Sequence, residues 1–135
     1  MDENNKVCET PKIPGVLELA YIGDAVYELK IRKHLLEKYP GRVDKMHKKA
    51  VLYVSAAGQA RVVRSMLNGF LTDEEARLVK RARNHKVTSS PRGTNIKEYK
   101  LATGFEALLG YLEISGLDDR LNDIVSEAIR IIEGK

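Results

Sequence analysis

Apolar residues recur along this chain at intervals of three and four, the spacing that gathers them on one face of an α-helix. From Pro14 the run PGVLELAYIGDAVYELKIRKHLLEKYPG keeps that period through Val16/Leu17, Ala20/Tyr21, Ala25, Tyr27, Ile31 and Leu35. Pro40-Gly41 ends it. A second segment is predicted from Asp44, a candidate N-cap, through Met46, Ala50, Val51 and Val54. A third follows Ser55 and carries Ala60, Val63, Met66, Leu67 and Phe70, with Asn68-Gly69 closing it. Thr72 and Glu75 have the spacing of a capping box, in which the hydroxyl takes a free amide and the glutamate reaches back to the cap. The helix they start holds Ala76, Leu78 and Val79 and ends near Asn84. Residues 84–96, NHKVTSSPRGTNI, show no period and read as a long basic loop, longer than most connections in a compact domain. Asn95 with Glu98 resembles another cap, opening a helix through Tyr99, Ala102, Phe105, Leu109 and Leu112. A last helix from about Asp118 turns Leu121, Ile124, Val125, Ala128, Ile129 and Ile132 inward.

No segment alternates with period two long enough to make a strand, and no internal repeat is visible. The pattern predicts an all-α fold of five to seven helices: one domain over residues 13–135 behind a polar N-terminal tail, 1–12. A chain of 135 residues with 43% hydrophobic and 31% charged residues has the balance of a globular protein rather than a disordered one. No apolar run approaches the roughly 20 residues needed to cross a bilayer. The start, MDENNKVCETP, lacks the basic region and apolar core of a secretory signal. Cys8 is the only cysteine, which excludes an intrachain disulfide and a structural zinc site. The cytoplasm is the expected compartment.

Charge changes the picture once its distribution is considered. The chain carries +4 overall, too little to indicate a nucleic-acid partner. Residues 77–100, however, contain Arg77, Lys80, Arg81, Arg83, Lys86, Arg92, Lys97 and Lys100 against the single acid Glu98, a local +7 that leaves −3 for the remainder. Such a basic stretch on a mildly acidic body fits a phosphate-rich partner, and a solvated helix face with its loop fits it as well.

Two acids break the helical pattern. Asp24 has Ala20 at i−4, Tyr21 at i−3 and Tyr27 at i+3, and Glu106 has Ala102 at i−4, Leu109 at i+3 and Gly110 at i+4. Each carboxylate thus projects from a largely apolar stripe. A buried carboxylate is costly unless paired, hydrogen-bonded, neutralised or bound to a metal. Helices packed through these faces would bring the two together around a divalent cation. Magnesium suits such a site, since it takes oxygen ligands and commonly uses one or two carboxylates plus phosphate oxygens. Local backbone bonding of Asp24 and an arginine partner for Glu106 would satisfy the same pattern.

Read as words, these segments carry a resemblance. LAYIGDAVYEL (19–29) resembles the signature helix of ribonuclease III, and TGFEALLGYL (103–112) resembles that family's later motif containing the second acid. HKKAVLYVSAAGQA (47–60) is similar to the middle helices of its catalytic domain. The similarity spans about residues 14–133, and the end at Lys135, together with the KRARN segment at 80–84, resembles the catalytic-domain-only Mini-ribonuclease III branch.

The resemblance implies a homodimeric helical bundle that cleaves double-stranded RNA with Mg2+, leaving a 5′-phosphate and a 3′-hydroxyl. It further implies a role in maturing the ends of the 23S ribosomal RNA precursor, with a ribosomal protein or pre-ribosomal particle as a further partner. Asp24 and Glu106 match the family's metal-site acids. Two other acids of the long form are Ala20 and Thr103 here, so the site holds −2 rather than −4. Arg81, Arg83, Lys86 and Arg92 are expected to grip RNA phosphates in place of a separate RNA-binding domain, with His47 and Lys48 as further contacts. Glu28 is expected to pair with Arg32 at i+4. Tyr21 and Tyr27 are expected in the core or between subunits, and Gly23 and Gly104 where helices approach closely. Two other readings stay open at this point: a helical RNA-binding protein without catalysis, and a helix-turn-helix DNA-binding protein using the 72–84 helix.

Overall fold

Helix α5 (Ile96–Ile114) is apolar on almost every side, and a helix of that kind has to be surrounded. The chain is seen in a computed structural model that describes residues 14–86, 93 and 95–135. Five further helices complete the bundle: α1 (Val16–Lys38), α2 (Val43–Val54), α3 (Ala56–Met66), α4 (Asp73–Arg83) and α6 (Asp118–Glu133), of which α2 packs on α1, α3 and α6 rather than on α5. Helices α1, α3 and α4 pack along α5, and α6 closes the bundle against α3 and α5. Leu101, Phe105, Leu108, Leu109 and Leu112 of α5 meet Leu19, Tyr27, Ile31 and Leu35 of α1, Val62, Val63 and Met66 of α3, and Leu121 and Ile124 of α6. Burying each Leu, Ile or Phe contributes roughly 1.5–3 kcal/mol, so this cluster supplies most of the driving force for folding. Tyr27 meets Phe105 edge to face, with ring centroids 5.1 Å apart.

The described residues thus form an all-α bundle of six helices, as the apolar period predicts, and none is in a strand. None of these helices is long and apolar enough to cross a membrane. The helix starts follow the capping chemistry. Thr72 Oγ1 accepts from the Glu75 amide at 3.1 Å while Glu75 Oε1 accepts from the Thr72 amide at 2.9 Å. Asn95 Oδ1 accepts from the amides of Lys97 and Glu98. One start differs from expectation: α2 begins at Val43 with Arg42 as its N-cap, and Asp44 lies in the first turn, 3.4 Å from the Arg42 guanidinium. Its carboxylate still meets the positive end of the helix there, without serving as the cap. Helix α3 stops at Met66, so Leu67 and Phe70 pack on the core from the turn that follows.

Two polar clusters fasten the helix ends. Arg120 of α6 makes a two-pronged pair with Glu75 at 2.8 and 2.9 Å and also donates to the Phe70 carbonyl. Glu133, at the end of α6, accepts from Tyr53 of α2 and Lys38 of α1 and lies 2.7 Å from His34 Nε2. The expected tail (1–12) and the middle of the expected 84–96 loop, Arg92 included, lie outside the described residues.

Candidate active site

The site exists because α1 and α5 cross with almost no side chain between them. A Cβ on Gly23 would sit 1.7 Å from the Glu106 carbonyl oxygen, and one on Gly110 would sit 1.8 Å from that of Leu19. Only hydrogens fit at these two positions, so the helix backbones touch. Gly104 makes a similar approach to α4, where a Cβ would lie 2.7 Å from the Val79 carbonyl oxygen. Asp24 follows Gly23 directly, and Glu106 is the residue whose backbone Gly23 contacts. The crossing therefore places the two acids side by side: the Asp24 carboxylate lies within hydrogen-bonding reach of Glu106. Asp24 is exposed and Glu106 half-buried, so the pair faces outward from the helix crossing.

Burial is the main force pushing the Glu106 carboxyl up to about 8, and the neighbouring Asp24 carboxylate raises it further. A hydrogen bond from the Gln59 side-chain amide to Glu106 Oε2, at 3.1 Å, acts in the opposite direction. Among the described residues, no lysine, arginine or histidine forms an ion pair with either acid. The alternative in which Glu106 is sealed against an arginine is therefore absent there. Two adjacent carboxyl groups, one raised by burial and neither paired with a base among the described residues, are a donor set that a hard divalent cation fits. At the positions where the longer pattern has acids, Ala20 is buried, and the Thr103 hydroxyl donates to the Tyr99 carbonyl of its own helix at 2.9 Å. The described residues contain no cluster of three or more candidate metal-binding side chains.

The expected RNA-binding residues occupy separate places. Arg81 lines a cleft of about 510 Å³ between α4, α5 and α6, together with Arg77, Arg120 and the acids Glu74 and Glu75. Arg83, two residues on, turns to the other side of α4. There it joins Arg64, Lys97 and Lys100 around a cleft of about 310 Å³, floored by Leu101. His47 lies between α1 and α2, near Arg32 and Met46, while Lys48 and Lys86 are exposed. Glu28 pairs with Arg32 at 2.9 Å as expected. Tyr27 is in the core, whereas Tyr21 is 81% exposed.

Two features of this site were missing from the sequence reading. Gln59 is 2% exposed and touches Glu106 directly. It shares a face with Val62, Val63 and Met66, so the signal was the one that exposed Asp24 and Glu106: a polar residue on a core stripe. Arg64 had no such signal, because an arginine on an exposed helix face is ordinary and only the packing of α3 against α5 brings it to Lys100.

Fold and site together define a helical protein with a paired-carboxylate centre beside separate basic clefts. The sequence pattern of the Ribonuclease III domain matches residues 17–116, and the chain belongs to that family, which makes it an endoribonuclease by class. It is 40% identical over 133 residues to a Mini-ribonuclease 3 from Brevibacillus brevis, covering 98% of each chain. With a Mini-ribonuclease 3 from Streptococcus pneumoniae it shares 40% identity over 119 residues, 87% of this chain and 93% of the other. An X-ray crystal structure of a protein from Fusobacterium nucleatum superposes with a TM-score of 0.77 at 30% identity, over 88% of this chain and 91% of that one. The resemblance read from the 19–29 and 103–112 motifs is borne out, as is the all-helical fold of the single chain that it implied.

Proposed function

We propose that the chain is a magnesium-dependent endoribonuclease that cuts double-stranded RNA as a homodimer, with Asp24 and Glu106 as its catalytic, metal-holding pair. The observation that carries this reading is the meeting of those two acids at the glycine-lined crossing of α1 and α5, with no basic partner among the described residues. Asp24 and Glu106 would hold the Mg2+, which when bound supplies charge neutralisation for the phosphodiester group under attack. Gln59 keeps the Glu106 carboxylate in place, and the close backbone contact at Gly23 fixes the spacing of the pair. Hydrolysis adds water across one phosphodiester bond and leaves a 5′-phosphate and a 3′-hydroxyl.

A duplex of A-form RNA is recognised through phosphates, 2′-hydroxyls and shape, since its base edges lie in a deep, narrow groove. The cations expected for that task, Arg81, Arg83, Lys86, Arg92, His47 and Lys48, are joined here by Arg64, Lys97 and Lys100. Lys97 stands in the first turn of α5, at the positive end of the helix dipole, where a cation is locally unfavourable and an approaching phosphate offsets it. The dimer is supported by the exposed apolar residues Leu17 and Tyr21 on α1, which lie on the Asp24 side of that helix, and by Leu29 further along it. The biological substrate that follows from the family reading is the 23S ribosomal RNA precursor in the cytoplasm, with a pre-ribosomal particle or ribosomal protein as partner.

The test incubates the chain with double-stranded RNA, single-stranded RNA and duplex DNA, each with magnesium or chelator. Cleavage confined to the RNA duplex with magnesium is expected. The Asp24→Asn variant should keep its helical spectrum and bind duplex RNA while losing cleavage by at least about a thousandfold, equivalent to roughly 4 kcal/mol of transition-state stabilisation. Near-parental turnover in that variant refutes the assignment. Binding without cleavage in the parent protein would favour the non-catalytic RNA-binding reading, to which Ala20 and Thr103 lend some support.

A further inference from the structure

Gln59 is polar, almost wholly buried, and placed where an apolar side chain would continue the core face of α3. Its Nε2 donates to two acceptors at once: the Val54 carbonyl at 3.0 Å and Glu106 Oε2 at 3.1 Å. Both neighbours are oxygens, so the amide has one workable orientation, with its NH2 group toward them. That orientation leaves Oε1 buried with no donor among the described residues. An unsatisfied buried acceptor is a cost that a methionine or leucine would not carry. The local arrangement therefore serves the Glu106 carboxylate and the Val54 carbonyl at the expense of the amide's own oxygen.

The anchor explains why this contact can orient Glu106. Val54 is the last residue of α2, and its carbonyl is one of those a helix end leaves without an intrahelical partner. Ser55 then caps α3 through the Gly58 amide, which fixes the α2–α3 corner just ahead of Gln59. A Cβ at Gly58 would lie 2.3 Å from the Leu52 carbonyl oxygen, which means the corner is also closely packed. The Gln59 NH2 group is thus tied to a rigid corner through one hydrogen bond and grips one oxygen of Glu106 through the other. The other carboxylate oxygen, Oε1, is left unclaimed by Gln59.

We propose that Gln59 is a positioning residue, which holds the Glu106 carboxylate from the α2–α3 corner so that its remaining oxygen is presented beside Asp24 to a divalent cation. This rests on the reading of Asp24 and Glu106 as a cation-holding pair and adds the residue that orients it. Outer groups bonded to metal-holding carboxylates typically alter cation affinity or activity when removed.

The experiment compares the parent with Gln59→Met, which keeps the length without the donor, and Gln59→Glu, which keeps the shape but can only accept when ionised. Four quantities are read: cleavage of duplex RNA over a magnesium series, Mn2+ binding by calorimetry without RNA, duplex binding in chelator, and thermal melting. Gln59→Met is expected to lower kcat and Mn2+ affinity by about 10–100-fold each. KM and cation-free RNA binding should stay within about twofold, because the phosphate-gripping cations are untouched. Gln59→Glu should lose kcat as well, despite its matching shape. Parental kcat and Mn2+ affinity in Gln59→Met overturn the proposal. So does a loss of activity that disappears on cooling below a lowered melting point, which marks a purely structural role. Should the parent cut no duplex at all, the nuclease reading fails on its own, and the Mn2+ titration still decides whether Gln59 organises the carboxylate pair.

Discussion

Gly23 and Gly110 can carry nothing larger than hydrogen, because the atoms facing them are backbone carbonyls rather than flexible side chains. A methyl group at either position forces α1 and α5 apart, and the separation of Asp24 from Glu106 changes with it. Gly23→Ala and Gly110→Ala are each expected to cost about 3 kcal/mol or more in urea unfolding, at the upper end of overpacking effects because no rotamer change relieves the clash. Mn2+ affinity should fall in parallel. A Gly23→Ala protein with unchanged stability would show that the helices do not meet as described. Single residues also mark what could be read from the sequence. Asp24 and Glu106 stood out because each violates an apolar stripe, and that violation is visible without coordinates. Gln59 violates its stripe equally, but glutamine is uncharged and drew no attention. Arg64 breaks no rule of its own helix, so its place beside Lys97 and Lys100 emerges only when α3, α4 and α5 are assembled.

At the scale of the helices, the period of three and four predicted all six, and Thr72 and Asn95 located two of the starts through their capping chemistry. Asp44 misled because it has the right residue type for a cap but lies two positions past the actual cap, as the second residue of the helix. The long-range ties between helix ends had no sequence signal, since their partners are far apart along the chain. Glu133 is the clearest case. Desolvation raises its carboxyl, but hydrogen bonds with His34, Tyr53, Lys38 and Lys135 outweigh that and hold it well below the ordinary 4.5. A carboxyl lowered in the folded state stabilises the protein above its unfolded value and loses that contribution as pH falls through the folded one. The tie between α6 and the α1–α2 pair is therefore intact at neutral pH and weakens as pH drops below about 4.5. Glu133→Gln should cost about 2 kcal/mol at neutral pH, in the range of a hydrogen-bonded charged group. The gap from the parent should narrow steadily in acid. A gap that stayed constant between neutral and strongly acidic pH would show that the ionised carboxylate is not what holds the helix ends together.

For the molecule as a whole, the remaining question is what covers α1 and α2. Among the described residues, seven of the ten exposed large apolar side chains lie on these two helices: Leu17, Tyr21, Leu29, Leu36, Val43, Val51 and Leu52. Concentration of that kind on one side marks an interaction surface, while scattered apolar residues do not. A second copy of the chain is the occupant that suits a duplex substrate, because two cleavage centres related by a two-fold axis match two strands related in the same way. Tyr21 lies one turn before Asp24 on α1, so an interface built on that part of the helix would run close to the carboxylate pair. Tyr21→Glu with Leu29→Lys removes apolar surface without disturbing the core, as both side chains are more than half exposed. Sedimentation should find the parent at twice the 15.2 kDa chain mass and the double variant at the chain mass, with helical content unchanged. A stable interface of ordinary size buries about 800 Å² per partner, and two charges at its centre are enough to dissociate it at micromolar concentration. Cleavage should fall with dimer content and recover as protein concentration is raised. A parent chain that sediments as a monomer, yet cuts duplex RNA at full rate, would mean that each carboxylate pair works alone and that the α1–α2 surface serves a different partner.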